Sequence, residues 1–430
     1  MRIFYSLMWW LALPLVLARL WLRGRQEPGY RQHWGERLGF YDKGAPSSAA
    51  PVLWVHAVSV GETRAAEPLV DALLAQYPHS RVVLTHMTPT GRETGRTLFA
   101  RHGARLVQSF LPYDTGWMVA RFIKHFQPSV CILMETEVWP NLIHTCGQRG
   151  VPVLLANARL SERSLRKAQR LGTLIRAAAQ GITLVAAQTD ADAARARTLG
   201  VPRVAVTGSI KFDVVVPDAA LATGAALRTA IGARPVLLCA STREGEEALI
   251  LAAWQQARNT LPVGTLLLLV PRHPQRFAEV AQLVTAAGLT VQRRSTLALD
   301  GTRPVAVAAE IDVVLGDSMG EMFAYYAACD VAFVGGSLLP LGGQNLIEPA
   351  ALGKPVLIGP HTFNFELVTQ DALAAGGAQR VADADALLAQ AATLLGDSNA
   401  RITMGAHALA FANQHRGATA RTITLLAPLL

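Results

Sequence analysis

Short runs of almost entirely apolar residues alternate with longer helical stretches from residue 51 onward, and this pattern constrains the fold more than any other feature of the chain. Near-continuous apolar runs are typical of parallel strands buried on both faces, and their alternation with helices favours βαβ units. The pattern therefore predicts an α/β fold with doubly wound parallel sheets. A first series predicts strands at Val52–His56, Arg81–Thr85, Val130–Met134, Val151–Ala156, Ile182–Ala187 and Val204–Thr207. A second series predicts strands at Val236–Ala240, Leu266–Val270, Asp312–Leu315, Val331–Val334 and Pro355–Ile358.

The length of the chain favours two domains. At 430 residues it is too long for one core, because single cores stop growing at roughly 250–300 residues. The regular pattern lapses in residues 214–233, which we interpret as a linker between Rossmann-like domains at 26–213 and 234–398. Residues 399–430 predict a C-terminal helix. Two such domains in succession predict a central cleft, with ligands at the carboxyl ends of the strands.

Residues 1–25 predict a membrane anchor. Residues 3–18 carry no formal charge, include Trp9 and Trp10, and are flanked by Arg2 and Arg19. As a helix this run is about 24 Å long, somewhat less than the ~30 Å hydrocarbon core of a bilayer. No small-residue cleavage site follows, which argues against a signal peptide, and the arginine excess after the run predicts that the rest of the chain stays cytoplasmic. The segment could span the bilayer or lie in its interface, and a buried N-terminal helix is the alternative.

Charge and cysteine content indicate the partners and the compartment. The net charge is +9, and only five of the 40 basic residues are lysines. Arginine binds phosphate in a bidentate manner, so we expect a nucleotide, a phosphorylated acceptor or an anionic lipid as partner. We do not expect nucleic acid, because the aromatic residues do not interleave with the basic ones and no recognised module is present. The four cysteines form no C-x-x-C pair, which predicts inert buried thiols at Cys131 and Cys239 and a reducing compartment.

Charged residues follow three predicted strands of the first domain. Glu62 stands at the start of the helix after the first strand, where it can act as a general base. Stabilisation of that helix N-terminus is an equally weighted alternative. Glu135 and Glu137 follow the third predicted strand, and we expect one of the two to face the cleft. Lys211 follows the last strand in a lysine-poor chain, which favours a contact with a donor phosphate or carboxylate over an ordinary surface position.

The second domain has three segments that together predict a nucleotide site, although each alone is a weak signal. Glycines let backbone N–H groups approach an anion, and a helix N-terminus favours negative charge. A carboxylate one turn into such a helix is well placed to bind ribose hydroxyls. The first segment, Arg272 and His273, ends a strand; the second, Met319, Gly320 and Glu321, leads into a helix; the third, Asn345, Leu346, Ile347 and Glu348, follows a glycine-rich passage.

Other nucleotide-binding and metal-binding classes lack their motifs. There is no G-x-G-x-x-G after the first strand and no G-x-x-x-x-G-K-[ST], which lowers support for dehydrogenases and P-loop kinases. The zinc-binding motifs H-E-x-x-H and C-x-x-C are both absent from the sequence. Two D-x-D sequences, at 190–192 and 383–385, resemble those of metal-dependent transferases, but both stand where a helix begins, so we favour N-capping. We therefore expect no metal and no cofactor.

Colinear motifs along nearly the whole chain resemble those of the 3-deoxy-D-manno-oct-2-ulosonic acid (Kdo) transferases of lipopolysaccharide biosynthesis, the lipid IV(A) Kdo transferase family. The likeness begins with the arginine-flanked apolar segment, and so many matches in one order are highly specific. The motifs are WGERLG at 34–39, SVGE at 59–62, MTPTG at 87–91, METEVWP at 134–140, ANARL at 156–160, GSIKF at 208–212, VPRHP at 270–274 and GPHTFNF at 359–365.

The resemblance implies an inverting glycosyltransferase of the GT-B type, with CMP-Kdo as donor. The implied acceptor is lipid IV(A), the acylated, bisphosphorylated glucosamine disaccharide precursor of lipid A. The implied location is the cytoplasmic face of the inner membrane, where anionic lipid would be a further partner. By position, Glu62 corresponds to the general base, Glu135 and Lys211 to groups that stabilise the transition state, and the three second-domain segments to the CMP site. Arg243 and Gln344 depart from the family pattern, because histidine is common at both positions.

Two other hypotheses stay open beside this resemblance. One is a different nucleotide-sugar enzyme on the same scaffold, such as a UDP-sugar epimerase or another membrane glycosyltransferase. The other is a catalytically silent nucleotide-sugar binder. The motifs are compatible with transfer of one, two or more Kdo residues.

Overall fold

The structure, a computed structural model, describes residues 1–41, 50–299 and 305–430. The chain forms two units: Met1–Asp213 with Arg416–Leu430, and Val214–His415. Each unit is built round a parallel sheet of seven strands. These are the two Rossmann-like domains that the apolar runs predicted.

The first sheet has the strand order β3-β2-β1-β4-β5-β6-β7. The chain moves outward from β1 to one edge, returns to β4 beside β1, and then moves outward to the other edge. The direction of winding therefore reverses between β1 and β4. The strands are β1 Val52–His56, β2 Arg81–His86, β3 Leu106–Phe110, β4 Val130–Met134, β5 Val153–Ala158, β6 Leu184–Ala187 and β7 Val204–Val206.

Apolar side chains cover both faces of this sheet. Successive residues of a strand point to opposite faces, so Leu53 and Val55 of β1 belong to one buried cluster and Trp54 to the other. Burial of both faces explains why the strand sequences are apolar throughout. The helices of this unit are α1 Arg2–Arg23, α2 Trp34–Arg37, α3 Val60–Ala65, α4 Glu67–Gln76, α5 Pro89–Leu98, α6 Gly116–Phe126, α7 Pro140–Gln148, α8 Glu162–Arg170, α9 Thr173–Gly181, α10 Asp190–Thr198 and, from the chain terminus, α19 Ala418–Leu426.

The second sheet has the order β10-β11-β9-β8-β12-β13-β14, so its winding reverses between β8 and β12. It too has a buried apolar cluster on each face. The strands are β8 Val236–Thr242, β9 Leu266–Pro271, β10 Val291–Arg293, β11 Val313–Leu315, β12 Val331–Val334, β13 Val356–Ile358 and β14 Ala378–Arg380. The helices are α11 Asp218–Ile231, α12 Glu246–Ala257, α13 Phe277–Ala286, α14 Met322–Ala328, α15 Ile347–Ala351, α16 Glu366–Ala374, α17 Ala384–Gly396 and α18 Ser398–Gln414.

Every predicted strand is present, with ends shifted by two residues or fewer. Strands β3, β10 and β14 were not predicted. All three are edge strands that carry polar residues such as Gln108, Gln292 and Gln379. An edge strand is not enclosed on both sides, so it does not need the apolar run that marks the inner strands.

The units differ from the predicted boundaries in two places. Residues 214–233, interpreted as a linker, contain α11, which packs against α14 inside the second unit. Its buried positions include small residues such as Gly224 and Ala230, so the helix lacks a strong apolar stripe. Residues 399–430, interpreted as one helix, form α18 in the second unit and α19 in the first. The Asp213 carboxylate accepts the backbone N–H groups of Gly417 and Thr419, which fixes the start of α19 on the first unit.

Helix α1 packs on the first unit through one face and exposes the other. The hydroxyl of Tyr5 donates to Asp114 Oδ2 at 2.9 Å, the ring of Trp9 lies 5.7 Å from that of Tyr113, and Leu20 is buried. The helix is long and apolar enough to cross a membrane. It is not the buried helix of the alternative, because its outward face exposes Ile3, Phe4, Leu7, Leu11, Leu15 and Leu22.

Candidate functional site

The reversal of winding in each sheet marks where polar side chains collect. Helices on either side of a reversal point leave the sheet in opposite directions, which opens a crevice at the carboxyl ends of the two central strands. In the first unit these strands are β1 and β4, and they are followed by Glu62 and Glu135. In the second unit they are β8 and β12, followed by Arg243 and the glycine pair Gly335–Gly336.

Glu62 lies in the first turn of α3, and its carboxylate turns back toward the end of β1. Oε2 accepts the backbone N–H of Val58 at 2.6 Å. Oε1 accepts no hydrogen bond from the described part of the chain. Burial raises the pKa of Glu62 to about 7; the Val58 hydrogen bond opposes this, Glu137 and Glu135 add to it, and Lys211 lowers it. A half-buried carboxylate of this pKa with one unused oxygen suits proton abstraction near neutral pH.

Glu135 and Lys211, far apart in sequence, form an ion pair beside Glu62. Lys211 Nζ lies 2.8 Å from Glu135 Oε1. Glu135 has a left-handed backbone with φ of 58°, and its N–H still donates to Ala156 O at 2.9 Å. A non-glycine residue in this region costs about 1–3 kcal/mol and is often found at functional sites. The structure thus brings Glu62, Glu135 and Lys211 together.

Glu137 is the second carboxylate of the METEVWP motif. Burial raises the pKa of Glu137, and the neighbouring Glu135 raises it further. Its charge is also the largest carboxylate influence on the pKa of Glu62. Both carboxylates of the motif therefore act on Glu62, whereas the sequence suggested a role for only one.

Asn157 positions Lys211 and was not singled out from the sequence. It follows the buried centre of β5 with φ of 53° and is fully buried. Its Oδ1 accepts the N–H of Ile210 at 3.1 Å, which fixes the short 3-10 turn Ile210–Phe212 that carries Lys211. The ANARL motif contained this signal, because a polar residue that interrupts a buried strand needs a hydrogen-bonding partner.

Glu246 organises the reversal point of the second unit and was also missed. Its side chain is fully buried at the start of α12 and accepts four backbone N–H groups. Oε2 accepts from Arg243 at 2.8 Å and Gly336 at 2.6 Å, and Oε1 accepts from Ser337 and Leu338 at 2.9 Å each. In the glycine-rich turn after β12, three backbone N–H groups therefore donate to the protein's own Glu246 carboxylate. The sequence instead predicts that the glycine-rich segment donates its N–H groups to a bound anion.

A cationic group stands at the carboxyl ends of β8 and β9. The pKa of His273 is lowered by burial and then by Arg243, Arg272 and Arg276 around it. Arg276 is held by Glu247, a fully buried carboxylate, at 2.7 Å. The backbone N–H of Arg272 donates to Thr242 O at 2.9 Å. Positive charge gathered at this edge suits a phosphate ligand.

The other two predicted segments also lie at carboxyl ends of strands, with unequal exposure. Met319 and Gly320 are exposed, whereas the Glu321 carboxylate is bound by Arg294 at 2.9 Å. Asn345 Nδ2 donates to Glu348 Oε1 at 3.1 Å at the start of α15. Leu346 and Ile347 are fully buried, and the Ile347 N–H donates to Asn345 Oδ1 at 3.0 Å.

The two departures from the family pattern flank one glycine. A Cβ added to Gly336 would lie 3.2 Å from Gln344 Nε2 and 3.5 Å from Arg243 Cγ. Gly336 has φ of 69°, a conformation that glycine adopts without strain. Arg243 and Gln344 therefore both lie close to the turn after β12.

One carboxylate of each D-x-D sequence is engaged in local structure. Asp383 caps α17 by accepting the N–H of Ala386 at 2.8 Å, as predicted. In α10 the cap is Thr189 rather than Asp190, and Asp192 accepts the Leu160 N–H at 2.8 Å. Within residues 1–41, 50–299 and 305–430, no three His, Cys, Asp or Glu side chains are grouped as metal ligands.

The architecture is that of the GT-B type. The structure is similar to UDP-GlcNAc 2-epimerase from Neisseria meningitidis bound to UDP-GlcNAc, with a TM-score of 0.57 and 15% identity over 88% of this chain and 100% of that chain. That likeness concerns the fold.

Sequence comparison identifies the family. The sequence model of 3-Deoxy-D-manno-octulosonic-acid transferase (kdotransferase) matches residues 32–214. The chain is 47% identical to 3-deoxy-D-manno-octulosonic acid transferase of Bordetella pertussis, over 96% of both chains. It is 39% identical to that of Haemophilus influenzae, over 100% of this chain and 99% of the relative. The chain belongs to the 3-deoxy-D-manno-octulosonic acid (Kdo) transferase family, and it is a glycosyltransferase.

Proposed function

We propose that this enzyme transfers Kdo from CMP-Kdo to lipid IV(A), with inversion at the anomeric carbon and without a resident metal. The family membership supports Kdo transfer, and the motif resemblance supports this donor and acceptor. The observation that carries the mechanism is the Glu62 carboxylate, which has a pKa of about 7 and lies beside the Glu135–Lys211 pair at the reversal of winding.

In the proposed reaction Glu62 is the general base. Its Oε1 takes the proton of an acceptor hydroxyl while the hydroxyl oxygen forms a bond to the anomeric carbon of Kdo. The bond from that carbon to the phosphate oxygen of CMP breaks, and its electron pair leaves with CMP. The Val58 N–H holds Oε2 at 2.6 Å, which leaves Oε1 for the proton. A base with a pKa near the working pH combines a useful deprotonated fraction with a strong proton affinity.

We assign Lys211 and Glu135 to electrostatic stabilisation. The Lys211 ammonium, held by Glu135 at 2.8 Å, would balance negative charge on the donor as the bond to CMP breaks. Asn157 Oδ1 accepts the N–H of Ile210 and so fixes the turn that carries Lys211, which positions the ammonium in advance. A charge that is already in position stabilises the transition state more than the charge of a mobile surface lysine does.

We assign CMP to the second unit. Arg272 and His273, with Arg243 nearby, would bind the phosphate, and Glu348, oriented by Asn345, would accept ribose hydroxyls. The cations gathered there supply the charge for a phosphate leaving group, and one carboxylate of each D-x-D sequence, Asp383 and Asp192, already accepts a backbone N–H. These two observations support a reaction without a resident metal.

We further propose that α1 lies in the cytoplasmic face of the inner membrane rather than across it. Its contacts with the first unit extend from Tyr5 to Leu20, so the helix cannot leave the domain without losing them. Its outward face is apolar, and Arg19 and Arg23 in its last two turns and Arg25 just beyond it are exposed. An apolar face with a basic border is typical of helices that lie in a membrane interface next to anionic lipid.

The test is incubation of the purified protein with CMP-Kdo and lipid IV(A), followed by mass spectrometry of the lipid. We expect lipid heavier by one or more Kdo residues. Glu62→Gln should form product about 10²–10⁴-fold more slowly while CMP still binds. Absence of product with the unaltered enzyme, together with tighter binding of UDP than of CMP, would refute the proposal and support a UDP-sugar enzyme.

A further inference from the structure

Helix α8 concentrates positive charge that the protein itself does not use. Arg163, Arg166, Lys167 and Arg170 occupy positions i, i+3, i+4 and i+7, so they line one face of the helix, and all four are exposed. None forms a hydrogen bond or ion pair with the described part of the chain. Like charges three and four residues apart destabilise a helix. We call these four residues the cationic stripe.

The stripe lies on the catalytic side of the first sheet. Helix α8 directly follows β5, the neighbour of β4, at the carboxyl ends where Glu135 and Asn157 stand. The start of α8 is fixed, because Ser161 caps it and Glu162 accepts from Arg195 Nε at 2.7 Å. The one acid of the helix is thus occupied by Arg195, while the cations of the stripe face outward.

A largely apolar cavity lies in the same unit, on the helix that packs against α8. Its volume is about 550 Å³, and α9, the helix that follows α8, forms one wall with Leu174 and Ala177. Ile143 of α7 and Met1 form other walls. The cavity lies at the N-terminus of α1, next to the exposed apolar residues Ile3 and Phe4. Arg2 at that terminus also lines the cavity, so a basic side chain stands among its apolar walls.

We infer that the stripe and the cavity together form the docking site of the phosphorylated, acylated acceptor. The stripe would bind a phosphate on the disaccharide, and the cavity would take part of one acyl chain from the membrane layer in which α1 lies. A cationic face on α8 and an apolar cavity on the contacting helix α9 match a ligand with phosphate and hydrocarbon in one molecule. This inference rests on the acceptor class named under the proposed function.

Two paired sets of variants test the site. Arg166→Ala with Lys167→Ala removes half of the stripe, and Arg96→Ala with Arg258→Ala removes two exposed cations elsewhere as the charge-matched control. Ala177→Phe fills the cavity, and Gln180→Phe adds the same ring at an exposed position on the same helix. Circular dichroism and thermal unfolding check that each variant folds.

The readouts are equilibrium binding of lipid IV(A) in neutral-detergent micelles and the KM for this acceptor. We expect loss of the two stripe cations to weaken binding and raise KM about tenfold, the scale of an exposed charge-assisted contact. The change should vanish with a dephosphorylated acceptor. The Ala177→Phe change should vanish with a deacylated acceptor. Both controls should match the unaltered enzyme.

The outcomes separate this inference from the proposed function. Normal product with unchanged acceptor binding in the stripe and cavity variants would overturn the docking site and leave the transferase function intact. Weakened acceptor binding in those variants, with no product from any form, would support the docking site and refute the function. If the stripe variant lost only its binding to phosphatidylglycerol vesicles, the stripe would be a surface for bulk anionic lipid, and the inference would be wrong.

Discussion

Replacement of Glu246 tests how the second unit builds its turn. The buried carboxylate accepts four backbone N–H groups, two on each oxygen. A glutamine keeps one carbonyl oxygen and can satisfy two donors, but its NH₂ group then faces the other two. Each buried donor left without an acceptor costs about 1–3 kcal/mol, so Glu246→Gln, which leaves two, should destabilise the unit by about 2–6 kcal/mol. Glu246→Ala leaves all four donors and should cost more.

The assay is chemical unfolding combined with CMP binding. Because the same donors shape the turn Gly336–Leu338, we expect Glu246→Gln to weaken CMP binding as well as stability. Glu244→Gln is the matched control, since it removes the same charge from an exposed position two residues away, and it should change stability by less than about 0.5 kcal/mol. Equal stability of the two variants, with normal CMP binding, would refute the reasoning.

The remaining predictions use simple measurements. Lys211→Met should lower kcat about 10²–10³-fold with little change in CMP affinity; an unchanged kcat would remove Lys211 from the reaction. Burial lowers the pKa of His56 to about 3, so below about pH 6.5 this side chain is protonated in the unfolded state but not in the folded state. The free energy of unfolding should therefore fall as the pH drops from about 6.5 toward 3. Thermal unfolding against pH checks this, and His56→Gln should show a shallower fall. Dialysis against EDTA should leave the rate unchanged, and restoration of a lost rate by a divalent cation would show a metal requirement. Leu11→Asp with Leu15→Asp on the outward face of α1 should reduce sedimentation with phosphatidylglycerol vesicles, and undiminished sedimentation would contradict the interfacial placement.

The inner strands could be predicted because burial on both faces leaves a clear trace in sequence. Leu53, Trp54 and Val55 must all be apolar, since alternate residues pack into opposite clusters. Edge strands such as β10 leave no such trace. Helix α11 was read as a linker because its buried face relies on small residues such as Gly224, which packs against Ala324 and Ala327.

The candidate site could be predicted where a charged residue follows a buried strand. Glu62, Glu135 and Lys211 were found in this way, and the structure places them side by side. Asn157 and Glu246 were missed because their role is to bind backbone N–H groups of segments distant in sequence. Such hydrogen bonds depend on which loops meet in space, and spacing along the chain does not show this.

The central claim is that the Glu62 carboxylate removes the proton of the acceptor hydroxyl. The most direct measurement is kcat/KM for the acceptor against pH, for the unaltered enzyme and for Glu62→Gln, which keeps an oxygen for the Val58 N–H. Because a base works only when deprotonated, we expect the rate of the unaltered enzyme to rise tenfold per pH unit up to about 7 and then level off. The variant should be slower by about 10²–10⁴-fold, with no such rise. A variant that stays within tenfold of the unaltered enzyme and keeps the same pH dependence would contradict the claim.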